Sequence, residues 1–436
     1  MYEQLDSSAA ARKARAGTVR IMHLVACRFC GADLTIRMVD LGMHPLCQSF
    51  LTAEELDNME PFYPLEVRVC PECHLAQIGD HVAPEAIFDD YAYYSSFSSA
   101  WLDHAREYAE MMRDRFGLTA DSKILEIASN DGYLLQYFLD MGMKVLGVEP
   151  SANVAKAAEE KGIESIGEFF NESLGRRLRK EGYRADVIAA NNVLAHTPYI
   201  NDFVAGVPEA LAPDGVATFE FPHLMRLIEG NQFDTIYHEH WSYLSLGTTQ
   251  KIFAAHGLKV FDVEELWTHG GSLRLYVAHD ESAAHAVTPR VDELIARETE
   301  FGLFDDSVYL SFDEKVKSTK RKLLSLLVSA KDEGASIVAY GAAGKGNTLL
   351  NYCGIGTDFI DYGCDRNPYK QGRFAPGTHI PIVSPDRIRE TRPDYVLLLP
   401  WNLKNELMEQ LSYIREWGGK FIVPIPEAQI LEGGES

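Results

Sequence analysis

An alternation of short apolar runs with amphipathic stretches narrows the folds open to this chain more than any other feature, and it occurs twice. From 123 to 221, "KILEIA", "KVLGVEP" and "DVIAANNVL" read as buried parallel strands. "LLQYFLDMG" and "SANVAKAAEEKG" read as the crossover helices between them, and "GVATFEFP" as a further strand. "WLDHAREYAEMMRDRFG" opens this unit as a helix, with Trp101, Ala105, Tyr108, Met112 and Phe116 at steps of three and four. After about 280 a long amphipathic stretch, "FDEKVKSTKRKLLSLLVSAKDEG", leads into the second alternation. There "SIVAYGAAGKGNTLLNY", "FIDYGCD", "DYVLLLPW" and "FIVPIP" predict a doubly wound unit of about 100 residues. Two open α/β sheets offer two crevices at strand carboxyl ends, and so two ligands.

The first block, to about residue 85, is different: rich in cysteine and proline and poor in periodic segments. Its "CRFC" and "CPEC" set Cys27 and Cys30 opposite Cys70 and Cys73 across 39 intervening residues (31–69). Each CxxC knuckle turns both sulfurs to one point, and four thiolates complete a closed tetrahedral zinc shell, which is structural because it leaves no position for water. Cys47, between the knuckles, reads as a bystander. A chain of 436 residues exceeds one core, so the predicted layout is a polar tail at 1–22, a zinc-binding unit at 23–85 and α/β units at 86–280 and 281–436. The net charge of −23 argues against a protein that coats nucleic acid, and no apolar stretch reaches the ~18 residues of a membrane span. Seven cysteines, four of them paired for metal, point to a cytoplasmic setting rather than a disulfide framework.

In the first α/β unit, "ILEIASNDGYLLQYF" is a strand, a tight turn and a helix. The turn sets Ser129, Asn130 and Gly132 where the backbone must approach a ligand or take positive φ. Glu149 ends the next strand, suited to both ribose hydroxyls of an adenosine-type cofactor, with Ser151 just beyond it. The turn lacks the dinucleotide GxGxxG pattern and any lysine, so it makes no provision for a diphosphate. S-adenosylmethionine, an adenosine without phosphate, fits that omission. In "NNVLAH", Asn191 and Asn192 lie where the cofactor's sulfonium would point, and His196 projects past the strand end. In the second unit, "YGAAGKGNT" exposes amides at Gly341, Gly344 and Gly346 and adds Lys345, a cradle for a diphosphate that extends to Asn347. Asp365 ends the next strand, followed by Arg366, Lys370 and Arg373.

CxxC…CxxC, "EIASNDG", "NNVLAH", "YHEHWSYLS" and "GAAGKGNTLLNY…DRNPYKQGRFAPGTHIPI" occur here in an order that resembles the nucleotide-sugar C-methyltransferases, notably the sugar C-3′-methyltransferases of deoxysugar biosynthesis. The resemblance covers nearly the whole chain after the first ~20 residues. It implies a zinc-binding N-terminal domain, a central Rossmann-like S-adenosylmethionine domain and a C-terminal Rossmann-like domain that helps to hold a nucleotide diphosphate. The implied substrate is a dTDP-linked 4-keto sugar, and the implied acceptor-facing residues are Tyr237, Glu239, His240, His196 and Tyr91 of "DDYAYYSSFSS". Chemistry supplies a separate reason. A methyl group moves to carbon only after a proton next to a ketone has left, and an imidazole titrating near 7 suits that step. His240 is therefore read as the base and Glu239 as the group that orients it. Tyr237, His196 and Tyr91 position the sugar and stabilise the enolate oxygen.

Other readings stay open on the sequence. In an extended strand His238 and His240 would share a face, and with His196 they could hold zinc or iron. An O- or N-methyltransferase acting on a nucleotide sugar, or a module binding NAD at "YGAAGKGNT", uses the same motifs differently.

Overall fold

The computed structural model describes residues 26–88 and 94–432, so the polar tail at 1–22 and Tyr91 lie outside the described residues. Three sheets are present among them. The first is antiparallel: β1 (Ile36–His44), β2 (Tyr63–Val69) and β3 (Ala76–Ile78) pair in sequence order. In β2, Leu65, Val67 and Val69 alternate inward, the period of a half-buried strand.

The central sheet begins after α1 (Ser99–Phe116), whose Ala105, Tyr108 and Met112 are buried as the periodicity predicts. β4 (Lys123–Ile127), β5 (Lys144–Val148), β6 (Ser165–Ile166), β7 (Ala185–Asn191) and β8 (Leu211–Pro222) pair in parallel. Their near-continuous apolar runs suit strands covered on both faces. β9 (Ser242–Tyr243) leaves this unit and pairs with β3, so the first sheet has the order β1-β2-β3-β9. A hairpin not anticipated from the sequence, β10 (Leu258–Leu266) and β11 (Ser272–His279), then extends the central sheet to the order β10-β11-β8-β7-β4-β5-β6.

In the last unit, α2 (Phe312–Asp332) precedes β12 (Ile337–Tyr340) and α3 (Gly344–Cys353). β13 (Gly363–Cys364), β14 (Ile382–Val383), β15 (Tyr395–Leu398), β16 (Lys420–Val423) and β17 (Gln429–Leu431) complete the order β14-β13-β12-β15-β16-β17. All its pairs are parallel except β16–β17, which gives a second doubly wound sheet.

The sheets do not keep separate cores. Val39 and Val67 of the first sheet share one apolar cluster with Phe312, Val316 and Leu323 of α2 and with Ile337 of β12. Cys27, Cys70 and Cys73 pack instead with Leu246 and Phe253 and the apolar side of the central sheet. The N-terminal unit is thus a wedge between two α/β units. The segment that fastens it to both is 236–244: the amide of Ile78 donates to the carbonyl of Trp241 (3.1 Å), and His223 bridges to Leu244.

Candidate active site

The two knuckles have matching backbones. Gly31 (φ 77°) and His74 (φ 63°) both turn left-handed after the second cysteine, and their amides donate to the carbonyls of Cys27 and Cys70, each at 2.9 Å. The result brings Cys27 Sγ to 3.6 Å from Cys73 Sγ and Cys30 Sγ to 3.4 Å from Cys70 Sγ, with all four sulfurs within 4.8 Å of one another. Four sulfurs ~2.3 Å from one zinc stand about 3.8 Å apart, so the quartet fits a zinc ion. Gln77 Nε2 donates to Cys27 Sγ (3.2 Å), the type of outer contact that steadies a ligand.

"YHEH" is a turn, not the extended strand that the metal-binding alternative would need. The amide of His240 donates to the carbonyl of Tyr237 (2.9 Å), which puts His238 and Glu239 at the corners. His238 and His240 therefore diverge, and they do not present a shared face to a metal. His238 Nε2 donates to the carbonyl of Pro64 (3.2 Å) and its ring meets Tyr63 edge-on. His240 Nδ1 donates to the carbonyl of Thr235 (3.0 Å), while its ring lies 4.1 Å from that of Tyr237 and 4.7 Å from that of His196. A carbonyl only accepts, so Nδ1 carries the hydrogen and Nε2 keeps the lone pair. Burial, with His196 beside it, holds His240 well below the usual histidine range rather than near 7. Burial brings His196 down to about 4 as well, aided by His269.

Glu239 does not orient His240; the Thr235 carbonyl does. Its carboxyl accepts from Cys47 Sγ (3.4 Å), with Lys370 as a charged neighbour. Burial raises it to about 7, which makes it, and not His240, the group poised near neutrality. It lines a cavity of about 370 Å³ where the N-terminal, central and C-terminal units meet. Gln48, Phe50, Tyr94, Tyr369, Lys370 and Arg373 also line that cavity. Cys47 is thus part of this wall rather than a bystander.

At the carboxyl ends of β4, β5 and β7 lies a second polar lining. Ala128 (φ 57°), Asn130 (φ 49°) and Gly132 (φ 75°) take left-handed backbone, so Asn130 and Gly132 turn as expected and Ser129 does not. A Cβ on Gly132 would stand 2.5 Å from Ile163 Cδ1. Glu149 accepts the amides of Asn130 (3.0 Å) and Ser151 (2.9 Å), one on each oxygen, which aims the carboxylate. Among the described residues, Glu126 Oε2, Ser129 Oγ, Asp131 Oδ1, Asn191 Oδ1 and Asn192 Nδ2 are buried without a hydrogen-bond partner. Buried polar atoms are normally satisfied, so a cluster of orphans at the ends of β4 and β7 fits a polar ligand such as S-adenosylmethionine.

The residues expected around the second crevice divide. Lys370 lines the cavity, where its Nζ donates to the carbonyl of Ala342 (2.9 Å). Gly344 abuts it, since a Cβ there would stand 3.0 Å from Cys47 Sγ. Asn347 Nδ2 donates to the carbonyl of Cys47 (2.6 Å), so it holds the wall in place. Asp365 accepts the amides of Ala342 (2.7 Å) and Asn367 (2.8 Å). Arg366 is exposed and stands outside the lining. Lys345 turns away: it donates to Asn402 Oδ1 and lies 4.7 Å over the ring of Trp401. Trp401 Nε1 in turn donates to Asp234 Oδ2 (2.7 Å), just before the YHEH turn.

A largely parallel α/β sheet with this lining, beside a buried tyrosine–histidine turn, suits an S-adenosylmethionine-dependent methyltransferase. Residues 27–88 match the family described as "Putative zinc binding domain", 101–263 the "Methyltransferase domain" and 267–426 the "C-methyltransferase C-terminal domain". The C-methyltransferase NovU of Streptomyces niveus is 36% identical over 405 residues, spanning 93% of this chain and 96% of that protein. The chain belongs to this C-methyltransferase family. Among solved structures, the magnesium protoporphyrin IX methyltransferase of Synechocystis PCC 6803 is 13% identical over 41% of this chain and 83% of its own, with a TM-score of 0.33. The glycopeptide N-methyltransferase MtfA is 14% identical over 40% of this chain and 96% of its own, also at 0.33. Among the described residues, no helix is long and apolar enough to cross a membrane.

Proposed function

We propose that this C-methyltransferase acts on a nucleotide-linked 4-keto deoxysugar, with dTDP the nucleotide that the family resemblance suggests. The methyl group goes to a ring carbon beside the ketone, C3 in this reading. The observation that carries the proposal is the hydrogen bond from His240 Nδ1 to the Thr235 carbonyl, which fixes the tautomer and leaves Nε2 as a proton acceptor. His240 Nε2 takes the C–H proton, and it is neutral for the task because burial keeps it so. The Tyr237 hydroxyl and His196 face the enolate oxygen as it forms. Glu239, near half-protonated at neutral pH, donates its proton toward the acceptor from the cavity side. When bound, S-adenosylmethionine supplies an electrophilic methyl carbon. Glu149 and the orphaned groups at the strand ends hold it.

The diphosphate is held by Lys370 and Arg373, two cations on one cavity wall. Tyr94 and Tyr369, whose rings lie 17° from parallel with centroids 6.3 Å apart, offer aromatic faces for the base. One observation favours a second reading: Glu239, raised to about 7, is the stronger proton acceptor and could serve as the base itself. Both are tested by incubating a 4-keto nucleotide sugar in D2O without methyl donor. The wild type should exchange the hydrogen beside the ketone, and His240→Ala should not. Loss of exchange in Glu239→Gln alone moves the base to Glu239. No exchange by the wild type means that this sugar is not enolised by the enzyme and overturns the proposed acceptor.

A further inference from the structure

β10 returns to β11 through "WTHGG", residues 267–271. Three successive residues there are left-handed: His269 (φ 56°), Gly270 (φ 91°) and Gly271 (φ 118°). The glycines adopt this without hindrance, whereas a side chain opposes it. The loop is held from several sides. Gln232 Nε2 donates to the carbonyl of Gly270 (2.9 Å), Ser272 Oγ to that of Thr268 (2.9 Å), and the amide of His223 to that of Gly271 (3.0 Å). A Cβ on Gly270 would stand 2.9 Å from Trp401 Cη2, so the loop has no slack.

A histidine sits at 269 where glycine would be free of strain, and positive-φ residues other than glycine are enriched at functional sites. Its imidazole meets Trp101 of α1 edge-on at 5.6 Å. The charged and titratable groups that act on it are Lys345 of α3, His240 of the YHEH turn, His104 of α1 and Glu220 of β8. His269 acts in turn on His196, whose ring packs against that of His240. The loop therefore brings one exposed imidazole to the place where the central sheet's carboxyl ends, the YHEH turn and the C-terminal unit converge. The walls crowded around the ring, with Lys345 nearby, hold it below the usual histidine range although its surface is open, so at neutral pH one ring nitrogen accepts and the other donates.

We infer that His269 is a further acceptor-binding residue, whose imidazole hydrogen-bonds an oxygen of the sugar ring beside His240. A sugar hydroxyl both donates and accepts, so it pairs with either nitrogen; a carboxylate or sulfonium matches this ring less well. The inference rests on the proposed sugar acceptor.

The test uses the full-length enzyme, Ado-Met as donor and the 4-keto nucleotide sugar that the wild type turns over best. His269→Gly removes the ring and the backbone strain together. Its kcat/KM for the nucleotide sugar should fall about tenfold or more, with the Kd for Ado-Met within twofold and a melting temperature unchanged or higher. His269→Asn, which tolerates the left-handed backbone and keeps a donor and an acceptor, should recover part of the loss and covers the case in which the glycine variant does not fold. Wild-type kcat/KM in both variants overturns the inference and leaves the sugar reading intact. A loss of Ado-Met affinity equal to the loss for the sugar also overturns it. If the wild type turns over no 4-keto nucleotide sugar, the sugar reading itself fails and this inference falls with it.

Discussion

Glu239→Gln separates a carboxyl that holds a proton from one that merely fills space. Glu239 is 5% exposed, and burial raises it from 4.5 to about 7 against the opposing effects of Cys47 and Lys370. Its value in the folded protein therefore lies above its value in the unfolded chain. Between pH 4.5 and 7 the folded protein keeps a proton that the unfolded chain has released. The stabilisation is full below 4.5 and is lost as pH rises through 7. At ~1.4 kcal/mol per pH unit, that displacement is worth roughly 3 kcal/mol. Glutamine copies the shape and cannot titrate. Unfolding by urea should therefore show the wild type losing roughly 3 kcal/mol relative to Glu239→Gln between pH 4.5 and 7.5, with the difference flat above. Asp234 and the histidines titrate in both proteins and cancel in the comparison. In activity, the wild-type kcat/KM should decline above pH about 7, and the variant should lack that limb. A stability difference that does not move with pH would falsify the claim that Glu239 stores a proton at the cavity.

The remaining predictions concern other parts of the molecule. His240→Ala should lower methyl transfer by at least a hundredfold while leaving Ado-Met affinity within twofold; turnover near that of the wild type excludes it as the base. Cys27→Ser should remove bound zinc and lower the melting temperature, because Cys27, Cys70 and Cys73 share an apolar cluster with the central sheet; an unchanged melt together with no zinc by elemental analysis rejects the structural site. Lys370→Ala should raise KM for the nucleotide sugar about tenfold with Ado-Met affinity unchanged, since its ammonium lines the cavity. Lys345→Ala, turned onto Trp401 and Asn402, should instead change nucleotide affinity less than twofold; the reverse ranking in a calorimetric titration shows that the diphosphate lies elsewhere.

What the sequence made legible follows from how local each signal is. Knuckle geometry depends on four consecutive residues, so the two CxxC pairs could be read directly, and their sulfurs converge within 4.8 Å. Buried parallel strands announce themselves by apolar runs, and β4, β5, β7, β12 and β15 lie where those runs are. The β10–β11 hairpin, with its mixture of acidic and apolar residues, carried no comparable run. The path of the backbone through "YHEH" was not legible, because it is set from outside. Trp241 to Leu244 are pinned to β3 on one side and to His223 on the other, contacts far away in the chain. That constraint separates His238 from His240 and turns Glu239 toward Cys47, a residue 192 positions away in the chain. Spacing could not foresee Lys345 either. A lysine at a helix start reads as a phosphate ligand, yet the side chain is captured by Trp401 and Asn402 from the loop after β15. His269 shows the same limit from the other direction. "HGGS" states that a left-handed turn is wanted, but only the packing of Gln232, Trp401 and Trp101 around it makes a histidine there cost something that a structural turn would not require.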